Sequence, residues 1–310
     1  MSARKKSYDL SFGFKPHKAG IIGLLKGMFF IFFVTAVIAG FAYLDGYVQK
    51  QAIPPSNQPR IIEMTGPMPS WVSNEIKNRV YAAASSATSS QNQDEALAKS
   101  IQQNVRRLVP WLDNVRVQTT YSKILISGQW RKPLAVVTAG PPRPTSGRVE
   151  AGKAKYYLDT DLIVLDYIPI INLSIVTVDG LKLDKPPALG QVWRGDDLAA
   201  ALAVLSRLEK MDSAVTPDKP LLREIDRINV SNFDGRKNRR EPHITLFTKQ
   251  GTEIIWGAEI GAWQRHLESP DDDKLAKLYT YYQQTGTLSG VKYINLRDPR
   301  QKIPLPIDKY

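Results

Sequence analysis

The chain has no cysteine and only three histidines in 310 residues. Without a thiol it can form no disulfide, no thiolate zinc site and no cysteine nucleophile. His17, His243 and His266 fall in no His-Glu-x-x-His pattern, which would set two imidazoles and a carboxylate on one helical face. No Gly-x-Ser-x-Gly elbow occurs either, because the serine of GTLSG comes one place too late, so a serine hydrolase is not indicated. Long apolar runs are equally scarce, and the single one organises the rest.

That run is Gly27 to Leu44, eighteen residues without a charge, bounded by Lys26 and Asp45. At about 1.5 Å per residue it reaches about 27 Å, close to the hydrocarbon core of a bilayer at roughly 30 Å. A cleaved signal peptide has a shorter apolar core and ends in small residues. This segment leaves through Tyr43, Leu44, Asp45 and Tyr47, which suit an interface, so a retained anchor is expected. It is apolar all round, unlike a surface helix that must meet solvent on one face. Arg4, Lys5, Lys6, Lys15, Lys18 and Lys26 precede it against the single acid Asp9, and the fifteen residues after it hold one base, Lys50. The positive-inside rule then keeps residues 1–26 in the cytoplasm and sends the bulk of the chain outside, a single-pass inner-membrane topology.

The net charge is +12; six bases against one acid give the cytoplasmic tail +5 of it and leave +7 on the remainder. That excess suits anionic lipid, anionic wall polymer or an acidic partner. Nucleic acid is not expected, since no recognition motif accompanies the basic residues and they face away from the cytoplasm. About 265 residues lie beyond the anchor, enough for two domains with cores of their own.

Residues 45–59, ending in QAIPPSNQP, read as a polar, proline-bearing spacer. RIIEMTG predicts a short strand and turn. Ser70 as cap, with Val72, Ile76 and Val80 at four-residue spacing, predicts a helix. The loop Ala84–Gln93 follows. A second helix starts at Asp94, carries Leu97, Ile101, Val105 and Leu108 on one stripe, and stops at Pro110. NVRVQTTY, a turn near Ser122 and Lys123, and ILISGQW add two strands. The order is strand, helix, helix, strand, strand.

This order after a single anchor, closing in RKPLAVV at Arg131–Val137, resembles the POTRA domain of the FtsQ/DivIB cell-division family. KYYLDTDLIVLDY at Lys155–Tyr167 is similar to the opening of that family's second, β-rich domain. GQVWRGDDLAAALAVLSRL resembles its Gly-led helix, with Leu198, Leu202, Leu205 and Leu208 as the buried stripe. REIDRINVSN, HITLFTKQGTEIIWG and GVKYINLRDP resemble its Ile-Asp strand, its Trp-Gly hairpin and its closing strand. The chain departs from the family in the Pro/Gly-rich linker Thr138–Lys153, in Asp161 and Leu162 where the family has a glycine, and in the enlarged basic loop SNFDGRKNRREP. The resemblance implies an α+β protein: one transmembrane helix at 27–44, a small POTRA-like β-α-α-β-β domain at 60–137, a linker at 138–153, and a larger curved mixed sheet with packed helices at 154–298. A tail at 299–310 follows.

It also implies a function without catalysis, cofactor or metal: a scaffold of the divisome at the division septum, joining other division membrane proteins. Its partners would be single-pass coiled-coil proteins, which attach by strand addition at Tyr293, Ile294, Asn295, Leu296 and Arg297. Sheet edges offer unpaired backbone groups for such addition. The basic run Arg236, Lys237, Arg239 and Arg240 is a solvated loop or a contact for an anionic partner. No small-molecule substrate is expected. Asp159, Asp161 and Asp166 do not form a calcium loop, because the twelfth position is Ile170 and no glycine supplies the bend. Asp271, Asp272 and Asp273 suit a helix N-terminus, with Asp273 as cap. Of Tyr279, Tyr281 and Tyr282, one ring is expected at the surface. Two other functions remain compatible with the sequence: a POTRA-bearing component of a secretion or envelope-assembly system, and an anchored cell-wall enzyme, whose carboxylate pair would be defined by a spatial separation of about 5 to 9.5 Å.

Overall fold

The computed structural model describes residues 18–52, 60–87, 94–120, 122–139, 154–182, 186–300 and 303. The tail 1–17, the spacer's 53–59, loop positions 88–93, Tyr121, most of the linker (140–153) and nearly all of 301–310 lie outside the described residues. The chain divides into two compact units, 1–60 and 61–310.

In the first unit, helix α1 runs from Lys18 to Ala52. Residues Gly27–Tyr47 have a mean hydropathy of 2.2 and none of them is buried, so this helix is long and apolar enough to cross a membrane. The apolar span starts at Gly27 as expected and ends at Tyr47, three residues beyond Leu44, while the helix itself continues past it at both ends. Residues 45–52 were expected in an extended spacer but continue the helix, because the first proline after the apolar run is Pro54. The Thr35 hydroxyl donates to the Ile31 carbonyl, satisfying its one polar group within the helix.

The second unit contains two sheets. The smaller is built from β1 (Ile61–Met64), α2 (Asn74–Ser85), α3 (Asp94–Leu108), β2 (Leu112–Thr119) and β3 (Lys123–Trp130). Its strand order is β1-β3-β2, with β1 parallel and β2 antiparallel to the central β3. The expected element order is thus observed. Two details differ. The cap of α2 is Ser73, whose Oγ accepts from the Ile76 amide at 3.4 Å; Ser70 lies in a turn closed by the Val72 amide on the Pro69 carbonyl. On α3, Leu97, Ile101 and Val105 are buried, but Leu108 is 51% exposed and Val109 takes the next inward place, four residues on from Val105.

The larger sheet contains β4 (Ala135–Ala139), β5 (Ala154–Leu158), β6 (Val164–Asp166), β7 (Val176–Asp179), β8 (Ile225–Asn229), β9 (Ile244–Thr248), β10 (Glu253–Gly257) and β11 (Tyr293–Asn295). Their order is β11-β10-β9-β8-β7-β4-β5-β6, mixed in direction. Helices α4 (Asp196–Val215) and α5 (Asp271–Thr285) add to its core, with Leu198, Leu202, Leu205 and Leu208 all buried as expected. The expected boundary at Val137 runs through β4, an interior strand paired to β5 on one side and to β7 on the other. Tyr157, Leu165 and Ile168 join the core of the smaller sheet, packing with Trp111 and the α2/α3 stripe. The two sheets therefore share apolar surface.

The acidic residues weighed for calcium have structural duties. Asp166 is buried and accepts from Trp111 Nε1 at 2.7 Å and from the Arg79 guanidinium. Asp159 is buried, accepts from Arg131 Nη1 at 2.7 Å, and takes the amides of Asp161 and Ile163 at 3.0 and 2.8 Å. The turn it closes places Leu162 at φ 62°, in the left-handed region that favours glycine. Asp271, Asp272 and Asp273 all occupy the first turn of α5, but its cap position is Pro270 and not Asp273. All three tyrosines of α5 are buried, so none is left at the surface. Tyr279 lies deepest, its hydroxyl within hydrogen-bond reach of Asp212 Oδ1 at 2.7 Å and of the Leu208 carbonyl at 2.8 Å, sharing its one proton between them. Burial and the neighbouring Asp212 carboxylate keep that phenol neutral by pushing its pKa far up.

Candidate functional site

β11 is the outermost strand on one side of the larger sheet. It is parallel to β10, with Tyr293 opposite Glu253 and Asn295 opposite Ile255. The Glu253 amide donates to the Lys292 carbonyl at 3.2 Å, and the Leu296 amide donates to the Ile255 carbonyl at 3.0 Å. The backbone groups of even-numbered residues are thus turned toward β10, and those of Tyr293 and Asn295 toward the open side. No strand among the described residues covers that side.

Side chains alternate on the orthogonal axis. Ile294 and Leu296 are 1% and 0% exposed and belong to the core, whereas Tyr293 is 51% exposed. Only part of the expected recognition set is therefore available to a partner through its side chains. Ile294 and Leu296 fix the strand to the sheet, Tyr293 faces out, and Asn295 and Arg297 are half-buried.

The strand is pinned at both ends. Upstream, Thr252 Oγ1 shares its one proton between the carbonyls of Leu288 and Val291, each 2.9 Å away, and Glu224 Oε2 accepts from the Leu288 amide at 2.7 Å. Downstream, the Arg297 amide donates to Asn295 Oδ1 at 3.0 Å, and the Arg297 carbonyl accepts from the Ser269 amide at 2.8 Å. The Arg297 side chain donates through Nε to Glu268 Oε1 at 2.7 Å. Glu268 is buried and also accepts from Lys274 Nζ at 2.8 Å and from the Ala258 amide at 2.9 Å. Burial pushes its carboxyl up, but the bonds from Lys274, Ala258 and Arg297, with the charge of Lys274, more than offset this and hold it below the ordinary carboxylate value. Arg297 is therefore engaged inside the fold through both backbone and side chain.

The basic loop divides in the same way. Arg236 pairs with the buried Asp197, Nη1 to Oδ2 at 3.0 Å, and donates to the carbonyls of Ser231, Gly180 and Val230. It serves as an internal tie. Lys237, Arg239 and Arg240 are exposed. Buried Asn232 holds the loop, donating to the carbonyls of Asn238, Glu241 and Pro242 and accepting from the amides of Lys237 and Asn238. Sequence reading missed Asn232, Glu268 and Asp212, because a buried polar group that satisfies several backbone atoms carries no local pattern.

No protein-family model matches the chain, and none of the curated proteins matches it. What fold and site define is a class: an α+β protein with one N-terminal helix able to cross a membrane and, among the described residues, β11 as the outermost strand of its larger sheet.

Proposed function

We propose that this protein is a non-enzymatic, single-pass scaffold of the bacterial division machinery, similar to the FtsQ/DivIB family, whose last strand accepts a strand from a partner membrane protein. The observation that carries this reading is the place of β11, outermost of the described strands on its side of the larger sheet, with Tyr293 exposed on it. Strand addition draws its affinity from main-chain hydrogen bonds and its selectivity from alternate side chains. The β-α-α-β-β order of the smaller sheet supports a POTRA-like unit, and the family-like segments fall in sequence along the larger one. In this reading α1 anchors the chain with residues 1–26 in the cytoplasm, and Lys237, Arg239 and Arg240 are free for an anionic surface.

A photo-crosslinking residue in place of Tyr293, introduced into the full chain in living cells, tests the edge. A crosslink to a single-pass membrane protein there, absent when the same residue replaces Lys155 on interior strand β5, is the expected result. Capture at neither position, in cells where the tagged protein gathers at midcell, removes the strand-addition part. Following a fluorescent fusion during depletion tests the machine. Midcell accumulation followed by undivided filaments supports division, whereas an even envelope distribution with normal division and missing exported proteins assigns the chain to secretion or envelope assembly.

A further inference from the structure

His243, Glu259 and His266 lie on three separate segments, and each presents one ligand atom within 4.8 Å of the other two. His243 immediately precedes β9, Glu259 follows the end of β10 by two residues, and His266 ends a short 3-10 turn at Trp263–His266. The β9/β10 hairpin brings the first two together at its open end, since Ile244 pairs with Gly257. His243 is 5% exposed, and its Nδ1 lies 3.0 Å from Glu259 Oε2. Its ring meets that of His266 edge to face, the centroids 4.6 Å apart.

From this geometry we infer that His243, Glu259 and His266 form a binding site for a zinc-class divalent cation. Two imidazoles and a carboxylate are a borderline-soft donor set that zinc accepts, and three protein ligands leave one position for water. Bonds of about 2.0–2.2 Å set tetrahedral ligand atoms roughly 3.3–3.5 Å apart, so donors already within 4.8 Å need only small rotamer adjustments. Coordination through Nδ1 of His243 uses the neutral imidazole with that nitrogen's lone pair free for the cation. The neutral imidazole then carries its proton on Nε2, the nitrogen that faces Gly235 of the basic loop.

The supporting shell is already in place. Glu268 accepts from the Ala258 amide, one residue before Glu259, and itself follows His266 by two positions. One buried carboxylate, locked by Lys274 and Arg297, thus fixes the backbone that carries two of the three ligands. It acts on the main chain beside the ligands and not on the ligating groups themselves. Sequence spacing gave no sign of the site, because the three residues are not arranged on one helix.

The test uses the full chain in detergent, purified without a polyhistidine tag and stripped with chelator. Titration with Zn2+ by calorimetry is expected to give one ion per chain, and Co2+ the visible absorption of a four-coordinate nitrogen/oxygen site. His266→Ala removes an exposed ligand and Glu259→Gln a half-buried one; each should lower Zn2+ affinity at least about tenfold with an unchanged circular dichroism spectrum. His17→Ala should leave binding intact. Absence of stoichiometric binding, or wild-type affinity in both variants, overturns the proposal and leaves only the hydrogen-bonded pair His243–Glu259.

Discussion

Lys274 Nζ sits 2.8 Å from Glu268 Oε2, with the lysine fully buried and the glutamate 7% exposed. The ammonium also lies 5.4 Å from the Trp256 ring centroid, over an aromatic face. A charge so enclosed needs its partner, because removing one side of a buried pair leaves the other desolvated and unpaired. Lys274→Met should therefore destabilise the fold by about 3 kcal/mol in chemical denaturation. Combining it with Glu268→Gln should recover part of that loss, and a double variant weaker than either single one would contradict the coupling.

The same pair sets an acid sensitivity. The folded Glu268 carboxyl lies below its ordinary value of 4.5. Its contribution is fully present above that unfolded value and is lost as pH falls through the folded one. Denaturant midpoints measured from about pH 6 to about pH 3 should fall less steeply in Glu268→Gln than in the wild type. Parallel curves would show that other carboxylates carry the acid response.

Gly257 has φ 100°, and a Cβ placed there would lie 2.1 Å from Glu268 Oε2 and 2.6 Å from Arg297 Cγ. Gly257→Ala combines backbone strain with displacement of the ion-paired carboxylate, and a loss of about 2–4 kcal/mol is expected from thermal or denaturant unfolding. A neutral result would mean that the Glu268 cluster yields easily.

The two faces of β11 should respond in opposite ways. Ile294→Ala or Leu296→Ala should cost about 2–5 kcal/mol of stability. Tyr293→Ala should stay within about 0.5 kcal/mol while weakening capture of a partner strand. Only Tyr293 therefore separates binding from folding; a charge at Leu296 would merely unfold the protein.

In the basic loop, Arg236→Ala uncouples buried Asp197 and should cost about 1–3 kcal/mol, whereas Lys237→Ala should change stability by less than about 0.5 kcal/mol. Equal effects in a denaturation series would contradict the division of the loop into a tie and a solvated part.

The contrast between Arg236 and Lys237 shows why some features were readable and others were not. Periodicity exposed the stripes of α2 and α3 because burial repeats with the helix, and β-branched alternation marked β2. It could not separate neighbouring bases whose fates depend on Asp197, thirty-nine positions away. Nor could it show that Val109 would replace Leu108, or that all three tyrosines of α5 would turn inward, since both depend on what packs across the helix. The edge position of β11 follows from pairing, which no local pattern encodes. Its inward Ile294 and Leu296 were written in the alternation of VKYINLR, but which face was inward became clear only once β10 was beside it. The His243–Glu259–His266 cluster is the extreme case, assembled from a strand start, a strand end and a turn.

Between β3 and β4 the chain has four residues, Arg131 to Leu134. The Arg131 amide donates to the Trp111 carbonyl and the Leu134 amide to the Leu158 carbonyl, at 2.9 and 2.8 Å. The Arg131 guanidinium spans both sides, reaching Asp113 at 3.0 Å and Asp159 at 2.7 Å. Such a joint has no slack. Rotation of one sheet against the other about residues 131–134 would have to break these backbone bonds and both ion pairs of Arg131.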